Sequence, residues 1–220
     1  MLVQIAGLLP VEKVQDIRNG LAADAPSFVS GKATAGAQAK IVKNNDQSAS
    51  PVAKAAIADV REALLANAVF KAAARPKEII GMLVSRYREG MAYGTHVDDA
   101  LMSGKRTDLS FTFFVSEPES YDGGELVIEG NDGENAIKLP AGSVVVYPAT
   151  SLHRVAEVTR GERLVVVGWV RSFIRNGEQR EILFDLDQTV AALIGTKADR
   201  AITDRVFKTR NNLTRMWAED

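Results

Sequence analysis

The chain has 220 residues, no cysteine, 27 Lys plus Arg against 28 Asp plus Glu, and 46% hydrophobic residues. These values suit one globular domain with its own core, and they exclude a disulfide framework, zinc–thiolate sites and a cysteine nucleophile. A net charge of -1 leaves no basic excess to neutralise phosphates, so no nucleic-acid partner is expected.

The opening stretch Met1 to Pro10 is apolar but has no basic leader, and it reads as a strand entering a helix rather than as a signal peptide. No run reaches the roughly 18 apolar residues of a membrane span, so a cytoplasmic protein with no membrane partner is expected. Pro10 to Ala23 carries Val11, Val14, Ile17 and Leu21 at helical spacing, with Pro10 suited to the helix start. Residues 26–50 are rich in Gly, Ala, Ser, Lys and Asn and read as short strands and loop. Pro51 to Ala74 predicts one Ala-rich helix with Val52, Ile57, Val60, Leu64 and Leu65 on a broad face.

After Pro76 the texture changes to short β-type runs separated by Gly, Pro, Asp and Asn. They fall near Ile79–Tyr87, Leu109–Val115, Gly124–Glu129, Asn135–Leu139, Ser143–Tyr147, His153–Val158 and Arg163–Val170. From Gly177 helical periodicity returns, with Leu183, Leu186, Val190, Leu193 and Ile194 in one stripe and a second helix between about Ala198 and Trp217. The order predicts a mainly β protein with flanking helices (α+β), its core an antiparallel sandwich, barrel or jelly roll. Residues 1–175 then form one domain with the β-core at about 76–175, and 176–220 form a helical extension whose stripe serves packing or a homodimer contact.

The chain holds only two histidines, His96 and His153. In His96-Val97-Asp98 an extended backbone turns residues i and i+2 to the same side, presenting an imidazole and a carboxylate together. Asp99, one position on, faces away. A second imidazole from His153 completes two histidines and one carboxylate, a set that leaves open positions on an octahedral iron. The same two histidines also fit ordinary core or surface positions. Ten residues after His153 stands Arg163, at the mouth of the apolar run Leu164 to Val170. Buried there it needs an anion; exposed, it merely ends a strand after the turn Arg160-Gly161-Glu162. If the two strands form a hairpin, an odd turn such as 158–162 places His153 and Arg163 on one face, and a two-residue turn at Arg160-Gly161 places them on opposite faces.

Tyr87-x-x-Gly90-x-x-Tyr93-x-x-His96-x-Asp98 resembles the iron-site signature of the prolyl 4-hydroxylase-like branch of 2-oxoglutarate oxygenases. The runs Asp122-Gly123-Gly124-Glu125-Leu126, Leu139 to Ser143, Tyr147-Pro148, Leu152 to Val155, Val158 to Arg163 and Trp169 continue in that order. Ala33 to Ala39, Val42 to Asn45, Arg106 to Ser110 and Leu183 to Asp187 also look like the bacterial PKHD-type hydroxylases. The resemblance covers nearly the whole chain. It implies a double-stranded β-helix (jelly roll) in which His96, Asp98 and His153 hold Fe(II), and Arg163 binds 2-oxoglutarate. It further implies coupling of oxidative decarboxylation to hydroxylation, with L-ascorbate admitted as a further cofactor and no acid or base needed beyond the metal ligands. The carboxylate of Asp98 implies hydroxylation rather than halogenation. Tyr87 resembles the tyrosine that hydrogen-bonds the co-substrate, or is a core aromatic. Tyr93 and Trp169 line the site or pack, and Lys43-Asn44-Asn45 forms a lid, a substrate loop or a solvated loop. The substrate, small-molecule or peptidyl, has no readable code. Two other readings compete: a non-catalytic metal-binding jelly roll, and a cupin-like metalloenzyme that does not use 2-oxoglutarate.

Overall fold

The computed structural model describes residues 1–34, 37–130 and 133–219. Ala35 and Gly36, part of the motif-like run Ala33 to Ala39, lie outside the described residues. Among the described residues the strands form the two sheets of a double-stranded β-helix and a separate two-stranded ribbon, Leu101–Met102 with Lys105–Arg106, and every strand pairing is antiparallel. The larger sheet runs in the order Val3–Ile5, Val144–Pro148, Leu109–Phe114, Val158–Ser172, Pro76–Arg88, Asp46–Ser48 and Val29–Ser30. The smaller runs Gly133–Ile137, Leu126–Gly130, His153–Val155, Ala92–His96 and Lys43–Asn44.

Alternation along the strands divides the core in two. On Val158–Ser172, Leu164, Val166 and Val170 join a cluster with Val14, Leu21, Val60 and Leu64 of the N-terminal helices. The intervening Val165 joins the second cluster between the sheets, with Tyr87, Leu126, Tyr147 and Val155. The central strands are therefore apolar on both faces, which explains their nearly continuous Val and Phe runs.

Several expected boundaries move. The single helix expected over Pro51 to Ala74 is two, Pro51–Ala66 and Ala68–Ala74, because Asn67 leaves the helical conformation and its side chain caps the second helix at Phe70 N. The buried stripe of the first is Ala53, Ala56, Val60 and Leu64, while Val52 and Leu65 are exposed. In the C-terminal helix Gly177–Gly195, Leu183 and Val190 are buried but Ile194 is exposed.

The hairpin geometry assumed for His153 and Arg163 is also corrected. His153–Val155 lies in the smaller sheet and pairs with Ala92–His96, whereas Val158–Ser172 starts five residues before Arg163 and belongs to the larger sheet. The two residues line one cavity from different sheets, so turn parity does not govern them. Arg160-Gly161-Glu162 is continuous with the strand because Tyr121–Gly123 pairs with it. Gly161 sits there at φ +78, and a Cβ would lie 2.3 Å from Ser120 O, so only glycine fits this approach.

Candidate metal centre and anion site

Strand Ala92–His96 delivers His96, and the chain leaves the sheet at once to carry Asp98. The neighbouring strand delivers His153, registered opposite His96. One ligand atom from each of His96, Asp98 and His153 lies within 4.8 Å of the others, with His153 Nε2 to Asp98 Oδ2 at 3.9 Å. Two cis donors about 2.1 Å from an octahedral ion sit roughly 3 Å apart, so a small side-chain rotation closes this set on a metal. Asp99 is exposed and stands outside the cluster, as its position predicts.

Both imidazoles are oriented in the same way. His96 Nδ1 hydrogen-bonds Gly94 O at 2.8 Å and His153 Nδ1 hydrogen-bonds Ser151 O at 3.0 Å, which leaves each Nε2 lone pair free for a metal. Tyr93 stacks on His96 with ring centres 3.7 Å apart. Burial, then the second imidazole of His153, pushes the pKa of His96 down to about 4, so it is neutral and metal-ready at ordinary pH.

Ser110 donates a hydrogen bond from Oγ to Asp98 Oδ2. The sequence reading gave this residue no role. The available signal is the alternation in Leu109–Phe114: Ser110 and Thr112 line the site, while Phe111 and Phe113 enter the helix-side core. Ser110→Ala is expected to weaken metal binding by about 10–100-fold with the three ligands intact, as read by Fe(II) titration. Unchanged affinity would show that the bond does not orient the carboxylate.

The ligand cluster opens on a cavity of about 270 Å³ between the sheets. Arg163, 1% exposed, is among its lining residues. Its guanidinium lies 5.1 Å from the Tyr87 ring centre and 5.6 Å from that of Phe114. Its Nε has no hydrogen-bond partner, and no carboxylate of the described residues pairs with it. Gly124, at φ +68, lets the backbone approach this side chain, since a Cβ would stand 3.1 Å from Arg163 Cδ. An unpaired buried cation costs several kcal/mol, so this part of the cavity is built for an anion.

Tyr87 is directly opposite Arg163 in the adjacent strand. Its pKa is raised by burial, against the opposing pull of Arg163 and a hydrogen bond from Asn45, so the phenol stays protonated and able to donate. Trp169 and Tyr93 also line the cavity, as does Tyr147, whose phenol burial likewise keeps protonated. Lys43 and Asn45, read as part of a lid or loop, are buried in the cavity wall, and only Asn44 of that run is exposed. Burial lowers the Lys43 pKa to about 8, against the attraction of Asp98.

A jelly roll that brings two imidazoles, one carboxylate and an unpaired arginine into one cavity is the architecture of a metal-dependent oxygenase that takes an anionic co-substrate. The family model of the 2OG-Fe(II) oxygenase superfamily matches residues 82–171, and that of the PKHD-type hydroxylase C-terminal domain matches residues 178–219. A PKHD-type hydroxylase of Maricaulis maris (strain MCS10) is 53% identical over the full length of both chains. One of Picosynechococcus sp. (strain ATCC 27264 / PCC 7002 / PR-6) is 49% identical, again over the full length of both. The chain belongs to the PKHD-type hydroxylases. It is thus a 2-oxoglutarate- and Fe(II)-dependent oxygenase of the hydroxylase class, and the cupin-like and non-catalytic readings give way to it. A Pseudomonas putida prolyl-4-hydroxylase shares the fold, with TM-score 0.55 and 22% identity over 78% of this chain and 92% of its own. So does a prolyl hydroxylase from Trichoplax adhaerens, with TM-score 0.56 and 10% identity over 83% and 86%.

Proposed function

We propose that His96, Asp98 and His153 hold the Fe(II), and that Arg163 with Tyr87 receives the distal carboxylate of 2-oxoglutarate. The observation that carries this reading is the fully buried Arg163 without an anionic partner, in the same cavity as the ligand cluster. Bound iron and 2-oxoglutarate would supply the oxidising chemistry with dioxygen as the oxidant: one oxygen atom would enter the succinate formed as CO2 leaves, and the other would enter the substrate carbon as a hydroxyl. The protein's own share is positional. Gly94 O and Ser151 O fix the imidazoles, Ser110 holds Asp98, and Arg163 offers a planar fork matched to a carboxylate. Tyr87 adds a neutral donor, while Trp169 and Tyr93 wall the cavity and limit water.

The substrate is a small molecule or a peptidyl group, and nucleic acid is not a partner; the balanced charge supports the second point. No helix of the described residues is long and apolar enough to cross a membrane. We read the protein as cytoplasmic, in keeping with its lack of cysteine. Residues 1–175 form the catalytic domain in this reading. Residues 176–220 form a helical extension whose exposed Ile182, Ile194 and Phe207 would suit a homodimer. L-ascorbate is admitted as an accessory cofactor.

The test is an anaerobic titration with Fe(II) and then 2-oxoglutarate, following the visible metal-to-ligand charge-transfer band. The band is expected in the wild type and absent in His153→Ala. Iron that binds without producing a band on 2-oxoglutarate addition would sink the reading.

A further inference from the structure

The cavity holds a second buried cation besides Arg163. The chain crosses from the smaller to the larger sheet between Lys43–Asn44 and Asp46–Ser48, and this crossing sets Lys43 and Gln47 in the cavity wall. Lys43 is 5% exposed. Its ammonium lies 5.2 Å from the centre of the Tyr93 ring, which in turn stacks on His96, so it stands one aromatic ring away from a metal ligand. Among the described residues it makes one hydrogen bond, to Thr34 Oγ1 at 3.1 Å, and no ion pair. Thr34 Oγ1 lies 2.6 Å from Gln47 Oε1, to which it donates.

An ammonium has three donors, so two remain unused here. Burying it so incompletely paired is costly, and an apolar side chain would pack on Tyr93 without that cost. Among the described residues the only carboxylates in the cavity wall are Asp98 and Asp99; the first belongs to the ligand cluster and the second is exposed. At about 270 Å³ the cavity lies just below the usual range for ligand sites of roughly 300–1,000 Å³. With 2-oxoglutarate at Arg163, whatever Lys43 binds in this cavity lies near the ligand cluster, since only the Tyr93 ring separates the ammonium from His96. One ammonium whose hydrogen-bonding neighbours Thr34 and Gln47 are neutral, with the Asp98 charge committed to the ligand cluster, balances a monoanion better than a phosphate dianion.

We propose that Lys43, steadied by Thr34 and Gln47, is a substrate-anchoring subsite that binds a carboxylate of the molecule to be hydroxylated. This rests on the reading that 2-oxoglutarate binds at Arg163. The substrate class is then a carboxylic acid, free or at the end of a larger molecule, oxidised at a carbon near that group. Lys43 is a specificity determinant and takes no part in proton transfer.

The full-length protein is loaded with Zn(II) and one equivalent of 2-oxoglutarate, which holds the co-substrate without turnover. The probes are N-acetylated amino acids, each as free acid and as primary carboxamide, followed by saturation-transfer NMR. Acids are expected to bind the wild type about tenfold or more tightly than their carboxamides, as a charge-assisted hydrogen bond requires. Lys43→Met should abolish the difference, and Lys43→Arg should keep most of it. Circular dichroism melting of each variant checks that it is folded. A wild type with no acid-over-amide preference, including one that binds neither form, overturns the proposal. So does a preference retained in folded Lys43→Met. The Fe(II)·2-oxoglutarate band separates this from failure of the underlying reading. Its absence in the wild type sinks that reading, and with it this one. Its loss in Lys43→Met alone assigns Lys43 to the co-substrate and overturns the proposal. Its presence in both leaves the acid–amide comparison to decide.

Discussion

Asp98→Ala is expected to lose Fe(II) binding and all coupled turnover while remaining folded. Asp98 supplies the only carboxylate of the ligand cluster, and Ser110, His96 and His153 cannot replace its charge. The substitution leaves the buried Ser110 hydroxyl without an acceptor, a cost of about 1–3 kcal/mol, which lowers the melting temperature by only several degrees in a chain of this size. The diagnostic measurement is the melting temperature with and without metal. Metal raises it in the wild type because it binds only the folded state, and leaves it unmoved in Asp98→Ala, His96→Ala and His153→Ala. Retained metal stabilisation in any of the three would remove that residue from the ligand set.

Arg163→Met should act in opposite directions on stability and on binding. In the protein without co-substrate, Arg163 is a buried cation with no carboxylate partner and an unsatisfied Nε. Methionine of similar reach removes that burden and packs between Tyr87 and Phe114, so the apo-protein is expected to be as stable as the wild type or more so. The same change removes the carboxylate's partner, and 2-oxoglutarate affinity should fall about 30-fold or more, equivalent to about 2 kcal/mol or above. Fe(II) affinity alone should not move, since the ligand cluster is untouched. Arg163→Lys should recover only part of the affinity, because a point charge cannot reproduce the guanidinium fork. A melting-temperature series with metal, then with metal plus 2-oxoglutarate, reads all three expectations. Undiminished 2-oxoglutarate binding in Arg163→Met would sink the assignment. Destabilisation of the apo-protein by several kcal/mol would show that Arg163 is paired in a way the unloaded cavity does not need.

The site was legible where chemistry is scarce. With two histidines in the chain, any two-histidine, one-carboxylate set had to use His96 and His153, and His96-x-Asp98 offered a carboxylate on the same side as one imidazole; the structure brings those atoms within 4.8 Å of one another. Arg163 stood out because an arginine beside seven apolar or small residues is costly if buried and unpaired, although an exposed strand end fitted the same residues until the family resemblance was added. Ser110 and Lys43 were much less so. A serine in a β-run and a lysine in a polar stretch have many unremarkable uses, and their importance depends on which strand faces them.

What the sequence determined by itself was local and periodic: apolar alternation from Pro76 onward, the helical stripes at both ends, and the i, i+2 pairing of His96 with Asp98. These follow from backbone geometry and side-chain period, which a neighbouring element need not specify. The sheet membership of each strand was decided only in the tertiary structure. His153 and Arg163 looked like partners across a turn, yet they belong to different sheets and line one cavity between them. Lys43 looked solvated, and the crossing after it buries it instead. Those outcomes depend on pairing between segments tens of residues apart, where the free energy comes from closing the sandwich over its core. A short stretch of sequence contains only one side of each such contact.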